Sequence, residues 1–108
     1  MIWGYFGNRG RARKLTKLAD RSITMMEGFI RAMQESTDKA MVAEHLSRRR
    51  KERDRYAMLA RGEIDDMERI MPTMSNYETW KRSMENETGK FGVDNQTFVW
   101  YLKQIKAP

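Results

Sequence analysis

Glu35-Ser36-Thr37-Asp38-Lys39-Ala40 decides how this chain folds. Ser, Thr and Asp side chains accept hydrogen bonds from the backbone N–H groups that a new helix leaves unpaired in its first turn, and three of them stand together at 36–38. The segment therefore predicts that one helix ends and another begins here. No Gly or Pro separates Phe29 from Arg61, so the competing arrangement is a single unbroken helix from Arg11 to Met71.

The flanking residues supply both helices. Before the turn, Leu15, Leu18, Met25, Met26, Phe29, Ile30 and Met33 recur at three, four or seven residues over Ala12–Glu35, with Ser22 bridging a gap. Gly28 inside this run costs about 1 kcal/mol relative to Ala, which predicts close packing of another backbone or a kink. After the turn, Met41, Val42, His45, Leu46, Tyr56, Leu59, Ala60, Ile64, Met67, Ile70 and Met71 extend the second stripe to Pro72, with Gly62 a point of division. At 1.5 Å per residue the two rods would be about 36 Å and 51 Å long, the second overhanging the first.

The ends complete an all-α expectation. Residues 1–10 hold three glycines and the aromatics Trp3, Tyr5 and Phe6 without helical period, and read as an extended arm. Ser75 and Glu78 form a capping box, with Ser75 as N-cap of a short helix on which Tyr77, Trp80, Lys81 and Met84 share a face, closed by Gly89 and Gly92. Asp94 then caps a last helix from Asn95 to about Lys106. The predicted architecture is thus an extended arm at 1–10, a coiled-coil-like antiparallel hairpin at 11–71, and two short helices at 72–108. At 108 residues these make one domain.

Charge is distributed unevenly along this framework. Met1–Arg61 carries 15 Lys and Arg against 7 Asp and Glu, whereas Gly62–Pro108 carries 6 against 8. A negatively charged partner would be drawn to the first half. The densest stretch is Arg48, Arg49, Arg50, Lys51, Arg53 and Arg55, whose side chains point all round a helix and so are expected in water or against phosphate or acidic protein. A hairpin would bring Arg11, Arg13, Lys14 and Lys17 near Arg53 and Arg55 and merge the two clusters into one patch. Phosphate contacts of this kind position a partner without reading its sequence, and a dimer of hairpins is one way of presenting them. The alternative is a solvated surface, with Glu44, Glu52 and Asp54 as screening partners.

Catalytic signals are sparse. There is no Cys, His45 is the only His, and no strained Gly-x-Ser-x-Gly turn is present, so the residues offer neither a thiolate nor a zinc site and predict no cofactor. His45 lies on the apolar stripe beside Val42 and Leu46 and is expected to be a hydrogen-bonded core residue. Glu63, Asp65, Asp66 and Glu68 spread around a helix instead of bracketing an oxygen-rich loop, which argues against a divalent cation. The apolar opening residues are followed by Arg9, Arg11 and Arg13, the reverse of a signal peptide's order, and are too few to span a bilayer. A cytoplasmic protein, or one built into a virion in the cytoplasm, is the expectation.

Gly92-Val93-Asp94-Asn95-Gln96-Thr97-Phe98-Val99-Trp100-Tyr101-Leu102-Lys103 resembles the turn and recognition helix of bacterial and phage helix-turn-helix proteins. In that family a glycine and valine precede a polar cap, and a later aromatic–Leu pair is buried. The resemblance implies DNA contact through this helix, although Val99 and Trp100 stand where polar base-reading side chains are usual.

Together these features predict a non-enzymatic accessory or structural protein of phage or mobile-element type, docked into a larger assembly. Trp3, Tyr5, Phe6, Trp80, Trp100 and Tyr101 are the candidate anchors, because buried aromatics dominate interface energetics. The second reading is a nucleic-acid-binding protein acting through Arg48–Arg55.

Overall fold

The computed structural model describes residues 2–63 and 74–106, with side chains from 9–63 and 76–105. Four helices account for nearly all of these: α1 (Ile2–Ala32), α2 (Thr37–Ala60), α3 (Met74–Gly89) and α4 (Asn95–Lys106). The described residues contain no strand.

The turn at 33–36 is present and separates α1 from α2, so the unbroken-helix alternative is excluded. Ser36 is the N-cap of α2, its backbone extended and its side-chain oxygen accepting from the Lys39 N–H at 3.1 Å. The hairpin's register is visible in its crossing ion pairs, Asp20 with Arg53 and Glu27 with Arg50, whose numbers run in opposite directions along the two rods.

Three sequence expectations are corrected. The segment 1–10 is not an extended arm: α1 is helical from Ile2. Its glycines raise the cost of each turn but do not forbid helix, no Pro interrupts it, and a helix already nucleated over 12–32 propagates backwards more easily than a new one starts. The second helix stops at Ala60 and not at Met71. Gly62 takes φ +73°, its N–H bonds to the Leu59 carbonyl, and the Glu63 N–H bonds to that of Met58, a Schellman closure that only the left-handed residue permits. Beyond it, Ile64, Met67, Ile70 and Met71 of the expected stripe, Pro72, and the carboxylates Asp65, Asp66 and Glu68 lie outside the described residues. In consequence α1, with 31 residues and about 46 Å, overhangs α2, with 24 residues and about 36 Å. The third correction is small: α3 begins at Met74, so Ser75 sits inside its first turn, and the Ser75 side chain is outside the described set.

Two apolar layers fill the space between helices. At one end Ala12, Leu15, Leu18 and Ala19 of α1 meet Tyr56 and Leu59 of α2 and Tyr77 and Met84 of α3. Toward the turn, Ile23 and Met26 meet Val42 and Leu46 of α2 and Phe98, Val99 and Leu102 of α4. Burial of side chains of this size stabilises by roughly 1.5–3 kcal/mol each. The expected Asp94 cap is present, accepting from the Thr97 N–H at 2.7 Å, and this bond lowers the Asp94 pKa.

The link between α3 and α4 is held tightly against α1. A Cβ at Gly92 would collide with the Met25 sulfur and lie 2.6 Å from the Thr88 carbonyl oxygen. Gly28 differs from its expectation, since a Cβ there meets only the Arg31 guanidinium at 4.0 Å, and α1 runs through it as one helix. The two glycines should therefore respond oppositely to alanine. Gly28→Ala should stabilise by up to about 1 kcal/mol, and Gly92→Ala should destabilise by about 1–3 kcal/mol, measured as shifts in the urea midpoint.

Candidate functional site

Where the two apolar layers meet, three helices each turn one polar side chain inward. Ser22 of α1, His45 of α2 and Glu87 of α3 are all buried, and each stands on the apolar stripe of its own helix. Glu87 is the centre. Its Oε2 accepts from the Ser22 hydroxyl at 2.6 Å and from Arg49 Nε at 3.0 Å, and its Oε1 accepts from Arg49 Nη2 at 3.1 Å. His45 Nε2 lies 2.7 Å from Oε1. Because an ionised carboxylate only accepts, Nε2 is the protonated nitrogen, and Nδ1 is buried without a hydrogen-bond partner.

The electrostatics follow from this geometry. Burial alone would raise the Glu87 carboxyl, but the His45 hydrogen bond and the Arg49 charge outweigh it and hold the pKa at about 2. For Arg49, the loss of water is likewise outweighed by Glu87 and Glu52, and its pKa is raised. Tyr56, next to this pair, is pushed up to about 12 by burial, with the Glu52 charge adding to the effect. With two donors on each oxygen, Glu87 has its acceptor capacity occupied by the protein itself. The arrangement is suited to holding three helices in register.

Arg49 corrects one sequence inference, that the Arg48–Arg55 segment is excluded from the interior. Its side chain is only 12% exposed and grips Glu87 with two parallel N–H bonds, the geometry in which Arg most favours a carboxylate. Its neighbours are paired on the surface: Arg48 with Glu44, Arg50 with Glu27, and Arg53 with Asp20 and Asp54. Lys51 and Arg55 form no ion pair among the described residues. Arg55 lines a cleft of about 320 Å³ shared with Arg49, Tyr56 and Trp80. On α1, Arg13, Lys14 and Lys17 are exposed, while Arg11 lies over the Tyr77 ring at 5.6 Å. Across the hairpin groove Asp20 pairs with Arg53 at 2.9 Å, so the two helices carrying the clusters are in contact there through a carboxylate.

The aromatic candidates divide as sharply. Trp80 is partly buried against the α1/α2/α3 layer. Tyr101 stacks on Phe91 with ring centroids 4.4 Å apart. Trp100 is 56% exposed, with the Phe91 ring 6.4 Å from its own. Trp100 stands at the rim of a groove of about 630 Å³ between α4 and the hairpin turn, with Met33, Glu35, Asp38 and Lys103 on its walls. Trp3, Tyr5 and Phe6 belong to the opening turns of α1, and their side chains are outside the described residues.

Comparison with known proteins adds no relative: the chain matches no protein-family model, no curated protein and no solved structure. The helix-turn-helix resemblance therefore rests on residues 92–103 alone. In α4, Val99 is buried in the core while Gln96, Trp100 and Lys103 face outward.

Glu87 makes stability depend on pH in a defined direction. Its folded pKa of about 2 lies below the ordinary 4.5, so its contribution is complete above about pH 4.5 and is lost as pH falls toward 2. The difference corresponds to on the order of 3 kcal/mol. Glu87→Gln should destabilise by about 2–4 kcal/mol at pH 7, because Arg49 stays mostly buried and keeps only Glu52 as a counter-charge. It should also flatten the loss of stability between pH 4.5 and 2, as followed by chemical denaturation at a series of pH values.

Proposed function

We propose that this protein is a non-enzymatic accessory protein that docks into a larger macromolecular assembly, with α4 and the hairpin turn as its docking end. The observation that supports this reading is Trp100. It is the one exposed aromatic among the described side chains, and it borders a groove whose walls mix apolar and charged side chains. An exposed Trp at the rim of a groove has the composition of an interface anchor, and Trp is among the residues that carry most binding energy when a partner covers them.

The buried polar centre supports the same reading from the other side. His45, the only histidine, is engaged with Glu87, and that carboxylate is occupied by four donors, which favours a structural role over general acid–base work. A phage or mobile-element setting would suit a small helical component of this kind.

Co-purification from the native source, with and without nuclease, tests the proposal. Tagged wild-type chain is expected to retain a defined protein partner after nuclease treatment, and Trp100→Ala to lose it while its thermal unfolding changes little, since the indole contributes little to the chain's own core. Retention of the same partner by Trp100→Ala would contradict α4 as the docking end, and a partner lost on nuclease treatment would contradict protein docking.

A further inference from the structure

We propose that the outer face of α1 is a binding surface for the phosphate backbone of nucleic acid, engaged through Arg13, Lys14, Lys17 and Arg21. This surface is separate from the docking end around Trp100, and the proposal does not depend on that reading.

The charge arrangement of the hairpin carries the inference. On a helix advancing 100° per residue, Arg13, Lys17, Arg21 and Lys14 fall within an arc of about 100°. They span about 12 Å of helix axis, and all four are exposed. None of them forms an ion pair among the described residues. The acids of α1 are Asp20 and Glu27 only, and both lie at the edge of this arc facing α2. There Arg53 takes Asp20 at 2.9 Å and Arg50 takes Glu27 at 3.3 Å. Two arginines of the Arg48–Arg55 segment thus serve as counter-charges for the carboxylates of α1. Their effect is to leave the cations of α1 without local opposition, so the longest run of unneutralised positive charge sits on α1, while the Arg48–Arg55 segment keeps only Lys51 and Arg55 without an ion pair among the described residues.

The composition of the face selects the class of partner. Besides the four cations it presents Gly10, Thr24 and Gly28, small residues that allow close approach of a backbone. The exposed large apolar residues of the described chain, Val93, Trp100 and Ile105, are all elsewhere. A protein interface is depleted of Lys and needs an apolar centre, and a membrane-surface helix needs an apolar face to insert. A surface made of cations and small residues meets neither requirement. It fits a polyphosphate backbone, whose interfaces are far more positively charged and whose affinity comes from displaced counterions. Such contacts carry no base information, so binding is independent of sequence.

Fluorescence anisotropy with a labelled duplex DNA of arbitrary sequence tests the assignment, using the full chain over a salt series. Four phosphate contacts give a log–log salt slope of about −3.6, a loss of roughly 150-fold in affinity between about 50 and 200 mM salt. The combined substitution Arg13→Gln, Lys14→Gln, Lys17→Gln and Arg21→Gln is expected to lower affinity at 50 mM salt by more than about tenfold and to bring the slope close to zero. Lys51→Gln with Arg55→Gln should leave most of both in place. If the fourfold variant loses its helical circular dichroism, Arg13→Gln and Arg21→Gln are measured singly, each expected to reduce the slope by about one. The proposal is overturned if wild type binds no duplex at 50 mM salt, if the α1 substitutions leave slope and affinity unchanged, or if polyglutamate competes as well as unlabelled duplex.

Discussion

A single carboxylate withdrawn from water sets the architecture of this protein. Glu87 is fully buried, and a charge in that position is tolerated only where donors replace its hydration. Ser22, His45 and Arg49 supply those donors from two other helices. Because each bond has a preferred length and direction, the carboxylate fixes where α3 can lie against the hairpin. The apolar layers on either side contribute most of the gross stabilisation, but Leu, Met and Ala surfaces slide past one another at little cost. A buried group with four directional bonds does not, which is why such centres specify a register even where an apolar replacement would be as stable.

The same demand explains the use made of the basic segment. Arg49 is drawn inward to neutralise Glu87, and Arg50 and Arg53 bridge the groove to Glu27 and Asp20. Exposed bridges of that type add little energy individually. Their larger consequence is on the field around the molecule, since they cancel the acids of α1 and leave its own Lys and Arg facing solvent. Accessible cationic character is therefore carried by α1 as well as by the helix where it is densest in sequence. The groove at Trp100 lies by the hairpin turn, so the proposed docking end and the cationic face of α1 occupy different parts of the molecule.

Much of the fold was legible from residue types and their spacing. Ser36 and Asp94 act as caps because short polar side chains can reach the free N–H groups of a first turn, and both helix starts follow. The stripes placed Leu15, Leu18, Val42, Leu46 and Phe98 in the core. Propensity misjudged the start of the hairpin, where glycines at 4, 7 and 10 suggested an arm although an established helix extends through them; the apolar stripe carried the second helix on to Met71, whereas it ends at Gly62, already a point of division in the sequence, where a left-handed glycine enforces the stop.

The buried centre was only half visible. His45 on an apolar stripe signalled a hydrogen-bonded core residue, and Ser22 filling a gap in the α1 stripe was a second sign. Glu87, in line with Tyr77, Trp80 and Met84 on α3, is the third, and a carboxylate near a helix end is ordinarily solvated, so its type alone does not mark it as buried. One polar residue on the buried stripe of each of three helices is the pattern that announces a shared polar layer. Which arginine completes it depends on tertiary register, and spacing within one helix does not contain that information.

The coupling between Arg49 and Glu87 is the most direct measure of whether this centre holds the fold together. A double-mutant cycle of Arg49→Met, Glu87→Leu and the pair, followed by urea denaturation at pH 7, isolates it. Each single change should destabilise by about 2 kcal/mol or more, since Arg49→Met leaves the buried carboxylate without its cation and Glu87→Leu leaves Arg49 only Glu52, and the pair by clearly less than the sum, with a coupling of about 1 kcal/mol or greater. Strictly additive losses would contradict the account, since they would mean that the two side chains do not depend on one another.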